Sequence, residues 1–142
     1  MLPPIDTIIE NFEIVEDDDM RLEYLIELGR ALPPMPESLR TEANRVHGCE
    51  SQVWIDTAAE GAGPERRLKL QGFSDSFIVR GFVALMVALY TGKTPREAAE
   101  TDGLDLFRQL RFGSHVTSKR SNGVRAMAER IHRDATRLAA EG

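Results

Sequence analysis

The stretch from Arg45 to Trp54, RVHGCESQVW, holds the only cysteine and the only tryptophan of the chain. A lone thiol can act as a nucleophile, carry sulfur or sense oxidants. All three roles need the thiolate, which is the minor form of a free cysteine at neutral pH. Gly48 permits a backbone angle that a Cβ disfavours, so a loop at this point can project Cys49 from a rigid sheet, where reacting groups are commonly set. His47, if charged and near, favours the thiolate, and Glu50, if near, opposes it. The competing reading is an inert core cysteine with His47 and Glu50 facing water, because free cysteine is among the most buried residue types. A cysteine hydrolase would need a histidine base and an orienting group. His115 with Asp75 or Asn122 could supply them, but no spacing selects that trio. A thioredoxin-type redox pair needs a second cysteine.

The same scarcity sets limits elsewhere. One cysteine excludes an internal disulfide and any cysteine-rich zinc or iron–sulfur cage within one chain. His47, His115 and His132 are too scattered to suggest a metal site, so none is expected. A free thiol fits a reducing compartment. The longest apolar stretch, GFVALMVALY from Gly81 to Tyr90, falls short of the ~18 residues a membrane helix needs. The N-terminus, MLPPIDTIIENFE, lacks a basic start and a small-residue cleavage site. A cytoplasmic location is expected.

With 142 residues, 42% hydrophobic and 29% charged, the chain reads as one globular domain spanning 1–142 with one core. Residues 1–50 carry 12 acids against 4 bases, residues 51–107 carry 8 against 6, and residues 108–142 carry 3 against 8. The acidic total, −5, argues against nucleic acid as a partner. The basic C-terminal segment reads as a solvated helix face or a docking surface.

The elements that must position the thiol follow from periodicity. Ile5, Ile8, Ile9 and Phe12 recur at helical spacing, with Asp6 available as a cap. The acids from Glu16 to Asp19 suit the positive end of a second helix. That helix carries Leu22, Leu25, Ile26, Leu28 and Leu32 and is stopped by Pro33 and Pro34. Val53 and Ile55 alternate with Trp54 and Asp56, a strand pattern. AEGAGPE, Ala59 to Glu65, reads as a hairpin turn, and Leu68 and Leu70 lie on the return strand. Arg45 to His47 is expected to add a short third strand. Phe77, Ile78, Phe82, Leu85 and Leu89 restore the helical period after Ser74 and Asp75, with Asp75 expected either to cap the helix or to restrain the Cys49 loop, and Gly92 ends that helix. Gly81 either lets another backbone come close or costs about 1 kcal/mol relative to alanine. Thr94-Pro95-Arg96-Glu97 is a capping box with proline at the first helical position. Leu104, Phe107 and Leu110 mark a short helix. Thr117 or Ser118 caps the last one, which carries Val124, Met127, Ile131 and Leu138. Strands grouped apart from helices imply α+β: a small antiparallel three-stranded sheet with helices covering one face.

GCESQVW, Gly48 to Trp54, resembles the signature around the reactive cysteine of the SufE family. The resemblance continues in order through most of the chain. It includes YLIELGRALP at Tyr24–Pro33, LQGFSDSFIVRGFVALMVALY at Leu70–Tyr90, Thr94–Pro95, and SHVTSKRSNGVRAM at Ser114–Met127. It implies a fold related to the IscU scaffold. It also implies a persulfide relay in iron–sulfur cluster assembly, with Cys49 as acceptor of sulfur from a pyridoxal-phosphate-dependent cysteine desulfurase of the SufS or CsdA type. The acceptor would stimulate that enzyme and hand the sulfur to a SufBCD-type scaffold. No cofactor is implied for the acceptor itself, since the pyridoxal phosphate belongs to the donor. The family tucks its cysteine loop against an apolar cavity, which shields a labile persulfide. The loop must then move at transfer. A monomer or homodimer is expected. The chain departs from the family at Glu50, where glutamine is usual, and a carboxylate there would either hinder ionisation of the thiol or simply point into solvent. Ser51 and Gln52 match the motif and either fix the loop or start the strand. Trp54 is expected in the core rather than as an interface anchor, and Arg120 is expected to meet an acidic patch of the desulfurase or the developing thiolate, or to sit on the surface without a functional role. Two other classes stay open: a regulator or scaffold of the desulfurase that carries no sulfur, and a stand-alone cysteine enzyme.

Overall fold

The computed structural model describes residues 2–112 and 118–141. Helix α1 (Ile5–Ile14) and helix α2 (Asp18–Ala31) precede an antiparallel pair of strands, β1 (Val53–Glu60) and β2 (Arg67–Ser74). Four helices follow: α3 (Phe77–Tyr90), α4 (Pro95–Ala99), α5 (Gly103–Leu110) and α6 (Ser118–Glu141). His115 and Thr117 lie outside the described residues.

The architecture is α+β, as expected, but the sheet has two strands and not three. Arg45 makes only a single bridge to Trp54. Val46 N donates to Val53 O at 2.8 Å, and Ile55 N donates to Asn44 O at 2.9 Å. The segment is confined on both sides. Turn bonds from Asn44 N to Thr41 O and from Arg45 N to Glu42 O precede it, and Gly48, at φ +97°, bends the chain away after it. Too few residues remain between these turns for a ladder.

The register of β1 on β2 pairs Val53 with Ser74, Ile55 with Gly72 and Thr57 with Leu70. All six are buried, and the alternating partners are more exposed, so side-chain alternation separates an inner from an outer face. The inner face joins α3 and α6 in one core with Phe12, Leu25, Phe82, Leu85, Met86, Met127 and Ile131.

The helix ends follow local chemistry. Asp17, not one of the acids after it, accepts from Met20 N at 3.1 Å and caps α2. The expected cap at Asp6 is replaced: Pro4 occupies the N-cap of α1 with no side-chain bond, and Asp6 lies in the first turn, where its charge suits the helix dipole. Ser76 caps α3 by accepting from Val79 N, which frees Asp75 for another role. The Thr94–Glu97 capping box forms in both directions. Gly92, at φ +90°, turns the chain out of α3 so that its N–H reaches Leu68 O at 3.0 Å.

Gly81 has a steric reason. A Cβ built on it would lie 2.5 Å from the carbonyl oxygen of Leu25 and 2.6 Å from that residue's Cγ. Gly29 faces the same crossing, its Cβ position 2.9 Å from Gly81 N. Helices α2 and α3 therefore touch backbone to backbone. Gly81→Ala should destabilise the fold by about 1–3 kcal/mol, the usual cost of overpacking, despite the higher helix propensity of alanine. Urea denaturation reads this as a lowered midpoint, and an unchanged midpoint would show that the helices can separate at no cost.

Candidate functional site

Cys49 lies at the tip of the loop that the Arg45–Trp54 bridge closes. Three sets of bonds fix the loop. The bond from Val46 N to Val53 O closes its base. Gln52 N donates to Asp75 Oδ1 at 3.1 Å, holding the exit of the loop to the start of α3. Arg130, on α6, donates through Nη2 to Asn44 Oδ1 at 3.1 Å and to Ile55 O at 3.3 Å, while its Nε reaches both oxygens of Asp134 at 3.0 and 3.2 Å. One largely buried guanidinium thus ties α6 to the segment before the loop and to the strand after it.

The tip folds back onto α6. The Cys49 thiol donates to Gly123 O, with Sγ 3.6 Å from the oxygen. A Cβ on Gly123 would sit 3.1 Å from Sγ, inside ordinary contact distance, so the missing side chain is what seats the sulfur. Gly48 is close to the same helix, its Cβ position 3.3 Å from Ala126 Cβ. The thiol opens on a cavity of about 110 Å³ between the first turns of α3 and α6. Val79, Phe82, Val124 and Met127 give it apolar walls, and Glu50, Ser51, Ser76 and Arg120 also line it. One water occupies roughly 30 Å³ in the liquid, so the cavity has room for another sulfur atom on Sγ.

Comparison with known proteins identifies the family and the fold. The model of the SufE domain, described as Fe–S metabolism associated, matches residues 6–135. The chain belongs to the SufE family. A SufE-like protein of Rhizobium meliloti (strain 1021) is 43% identical over 131 residues, covering 92% of this chain and 94% of that protein. Another from Rhizobium etli is 41% identical, covering 92% and 88%. The solution structure of a hypothetical protein from Thermus thermophilus shares the fold at a TM-score of 0.77, covering 99% of both chains at 22% identity. The family is linked to iron–sulfur metabolism.

Within this SufE domain, the motif residues divide in two. Cys49 and Ser51 join Ser76, Arg120 and Gly123 around one cavity, and Asp75 is drawn in through Gln52. His47 is not brought to the sulfur. Its Nε2 lies 2.8 Å from Glu42 Oε1, with both side chains largely exposed. The charge that acts on the thiol belongs to Arg45. Burial pushes the Cys49 thiol above its ordinary range, and the Arg45 guanidinium opposes that rise. Arg45 Nε is buried without a hydrogen-bond partner. Asn122 is exposed on α6. Trp54, expected in the core, is partly exposed on the outer face, because the register that buries Val53 and Ile55 turns position 54 outward. Of the two roles open to Asp75, the restraint of the loop is the one it takes, with Ser76 at the cap of α3.

Sequence reasoning missed Gly123 and the electrostatic part of Arg45. A glycine inside the helical run SKRSNGVRAM was the available signal, since it costs roughly 1 kcal/mol relative to alanine unless packing requires it. Nothing local marks Arg45, whose reach to the thiol depends on the loop's path.

Two expectations follow. Gly123→Ala should push Cys49 off its seat, so alkylation by iodoacetamide at neutral pH should accelerate at least about threefold while urea stability holds or rises by up to about 1 kcal/mol. An unchanged alkylation rate would mean that the thiol does not rest on this glycine. In wild type the alkylation rate should climb with pH to an inflection above that of an ordinary thiol, because the reactive thiolate is disfavoured by burial. Arg45→Gln should move that inflection further upward. A downward move would reverse the sign assigned to the guanidinium.

Proposed function

We propose that this SufE-family chain accepts sulfur from a pyridoxal-phosphate-dependent cysteine desulfurase onto Cys49, stimulates that enzyme by clearing its persulfide, and passes the sulfur to an iron–sulfur assembly scaffold of the SufBCD type. The observation that carries this reading is the seat of the thiol. A single cysteine stands at the tip of a loop anchored at its base, partly exposed, against a cavity of mixed polar and apolar lining with spare volume. An inert core cysteine would be closed in on all sides. His47, the histidine next to the thiol in sequence, points to Glu42.

The transfer step balances without any further reagent. The Cys49 thiolate attacks the outer sulfur of the donor persulfide. A bond forms between Sγ and that sulfur, the sulfur–sulfur bond of the donor breaks, and the donor cysteine leaves as thiolate. The terminal proton of the persulfide travels with the transferred sulfur. Access needs the tip to leave Gly123, and the Gly48 hinge allows the swing. Once loaded, the tip returns its terminal sulfur to the cavity, where Val79, Phe82, Val124 and Met127 shield part of it from solvent. Arg120 lines that cavity and is the cation an incoming persulfide meets. Glu50, in place of the usual glutamine, is exposed and is not the source of the thiol's raised proton affinity, which comes from burial.

Incubation with a desulfurase and free cysteine should add about 32 Da per sulfur to Cys49, removable by reductant. Cys49→Ser should still bind the desulfurase yet lose its stimulation of sulfide release by at least about tenfold, the scale expected when the nucleophile of a step is removed. Mass spectrometry and a sulfide assay check both. Full stimulation by the serine variant would favour a regulator that carries no sulfur, and turnover by the chain alone would favour a stand-alone enzyme.

A further inference from the structure

We propose that the outer face of the sheet beside the Cys49 loop is a docking platform for a carboxylate-bearing segment of the desulfurase that donates the sulfur, an inference that rests on the function proposed above. The face is built from aromatic rings and guanidinium groups in a continuous row. Arg45 lies over the Trp54 ring at 5.5 Å from its centroid. Trp54 stacks on Phe73 across the strand pair, with centroids 6.3 Å apart and planes at 30°. Arg40 and Arg80 lie over Phe73 at 4.8 and 4.4 Å, and Arg80 also approaches Phe77 at 5.5 Å. Phe77 is 61% exposed.

Two features identify the occupant. Among the described residues, Arg40, Arg45 and Arg80 form no salt bridge with any carboxylate. Asp56 and Asp75, on the adjoining strand and turn, are engaged by Asn44 Nδ2 and Gln52 N. Three cations are therefore gathered on one face of a chain whose net charge is −5, which calls for acidic groups from outside. Their stacking on rings also holds them in place before any partner arrives. A stacked guanidinium can still offer N–H groups to a carboxylate, although Arg80 already gives its Nε to Ser74 O at 2.9 Å, and such ordering lowers the entropic cost of association. Tryptophan, phenylalanine and arginine are the types enriched at protein interfaces, with tryptophan and arginine prominent among hot spots.

The face is also continuous with the site. Arg45 and Trp54 close the base of the Cys49 loop. On the first turn of α3, Phe77 and Arg80 belong to the platform, while Ser76 and Val79 line the cavity that holds the thiol. A partner seated on the rings thus grips the two elements between which the cysteine must move.

The test is biolayer interferometry between the intact chain and a purified pyridoxal-phosphate desulfurase from the same genome, with sulfur loading of Cys49 followed by mass. Arg40→Glu with Phe77→Ser changes only exposed positions of the platform. Arg40→Glu alone serves if the double variant has a lowered urea midpoint. Arg96→Glu, beside the opposite end of the sheet, is the control. Platform variants should bind at least about tenfold more weakly, as expected when interface anchors are lost, and Cys49→Ser and Arg96→Glu should bind like wild type. Wild-type affinity should fall between about 50 and 300 mM salt, more steeply than that of the platform variants. If the variants bind and load as wild type does, the platform is wrong and the relay stands. If wild type neither binds nor loads, the relay falls and the platform with it. Self-association of the free chain that these substitutions abolish, read by sedimentation, would assign the face to a second copy and overturn the proposal.

Discussion

The placement of the sulfur depends on one buried guanidinium. Arg130 is held by Asp134 one turn along α6, and it spends its remaining donors on Asn44 and Ile55. These two residues flank the base of the Cys49 loop. A buried ion pair of this kind adds little net stability over apolar packing, but losing one partner leaves a charge stranded and costs about 3–5 kcal/mol. Its consequence here is positional. The long C-terminal helix cannot slide along the sheet without breaking these bonds, so Gly123 stays opposite the loop tip. Asn44 extends the same lock by donating to Leu39 O at 2.9 Å.

Around that lock the fold trades side chains for proximity. Gly29 and Gly81 let α2 and α3 meet backbone to backbone, Gly72 lies under Val83, and Gly123 leaves space for Sγ. The α2–α3 contact fixes α3, whose first turn forms one wall of the cavity. The cavity in turn sets the chemistry of the thiol. Burial disfavours the thiolate, and Arg45 offsets part of that penalty from the edge of the loop. In the proposed relay, protection and reactivity would belong to two positions of the same tip, joined by the Gly48 turn.

Local chemistry was legible wherever a single segment decided the outcome. The capping box at Thr94–Glu97, the proline stop after α2 and the alternation of β1 all depend on neighbours in the chain, and each formed as read, while the hairpin turn begins two residues later than read because β1 runs on through Glu60. The outcomes that local reading left open or missed are those where segments meet. Asp75 could cap α3 or restrain the Cys49 loop, and with Ser76 at the cap it holds the loop exit through Gln52 N. Trp54 looked like core because it is large and apolar. The register needed to bury Val53 and Ile55 puts it outside, where Phe73 and Arg45 cover it. A third strand at Arg45–His47 failed because turns on both sides left room for one bridge only.

By itself the sequence determined that a single thiol follows a glycine at the entry to a strand, that helices surround a small antiparallel sheet, and that the motif from Gly48 to Trp54 resembles the SufE signature. These follow from residue type, periodicity and local backbone preference, which act over a few positions. Only the tertiary structure decided what surrounds the sulfur. The contact with Gly123 spans 74 residues, and the charge of Arg45 reaches the thiol because the chain folds back over itself. Such contacts depend on how helices and sheet fill a common volume, and no spacing along the chain encodes that.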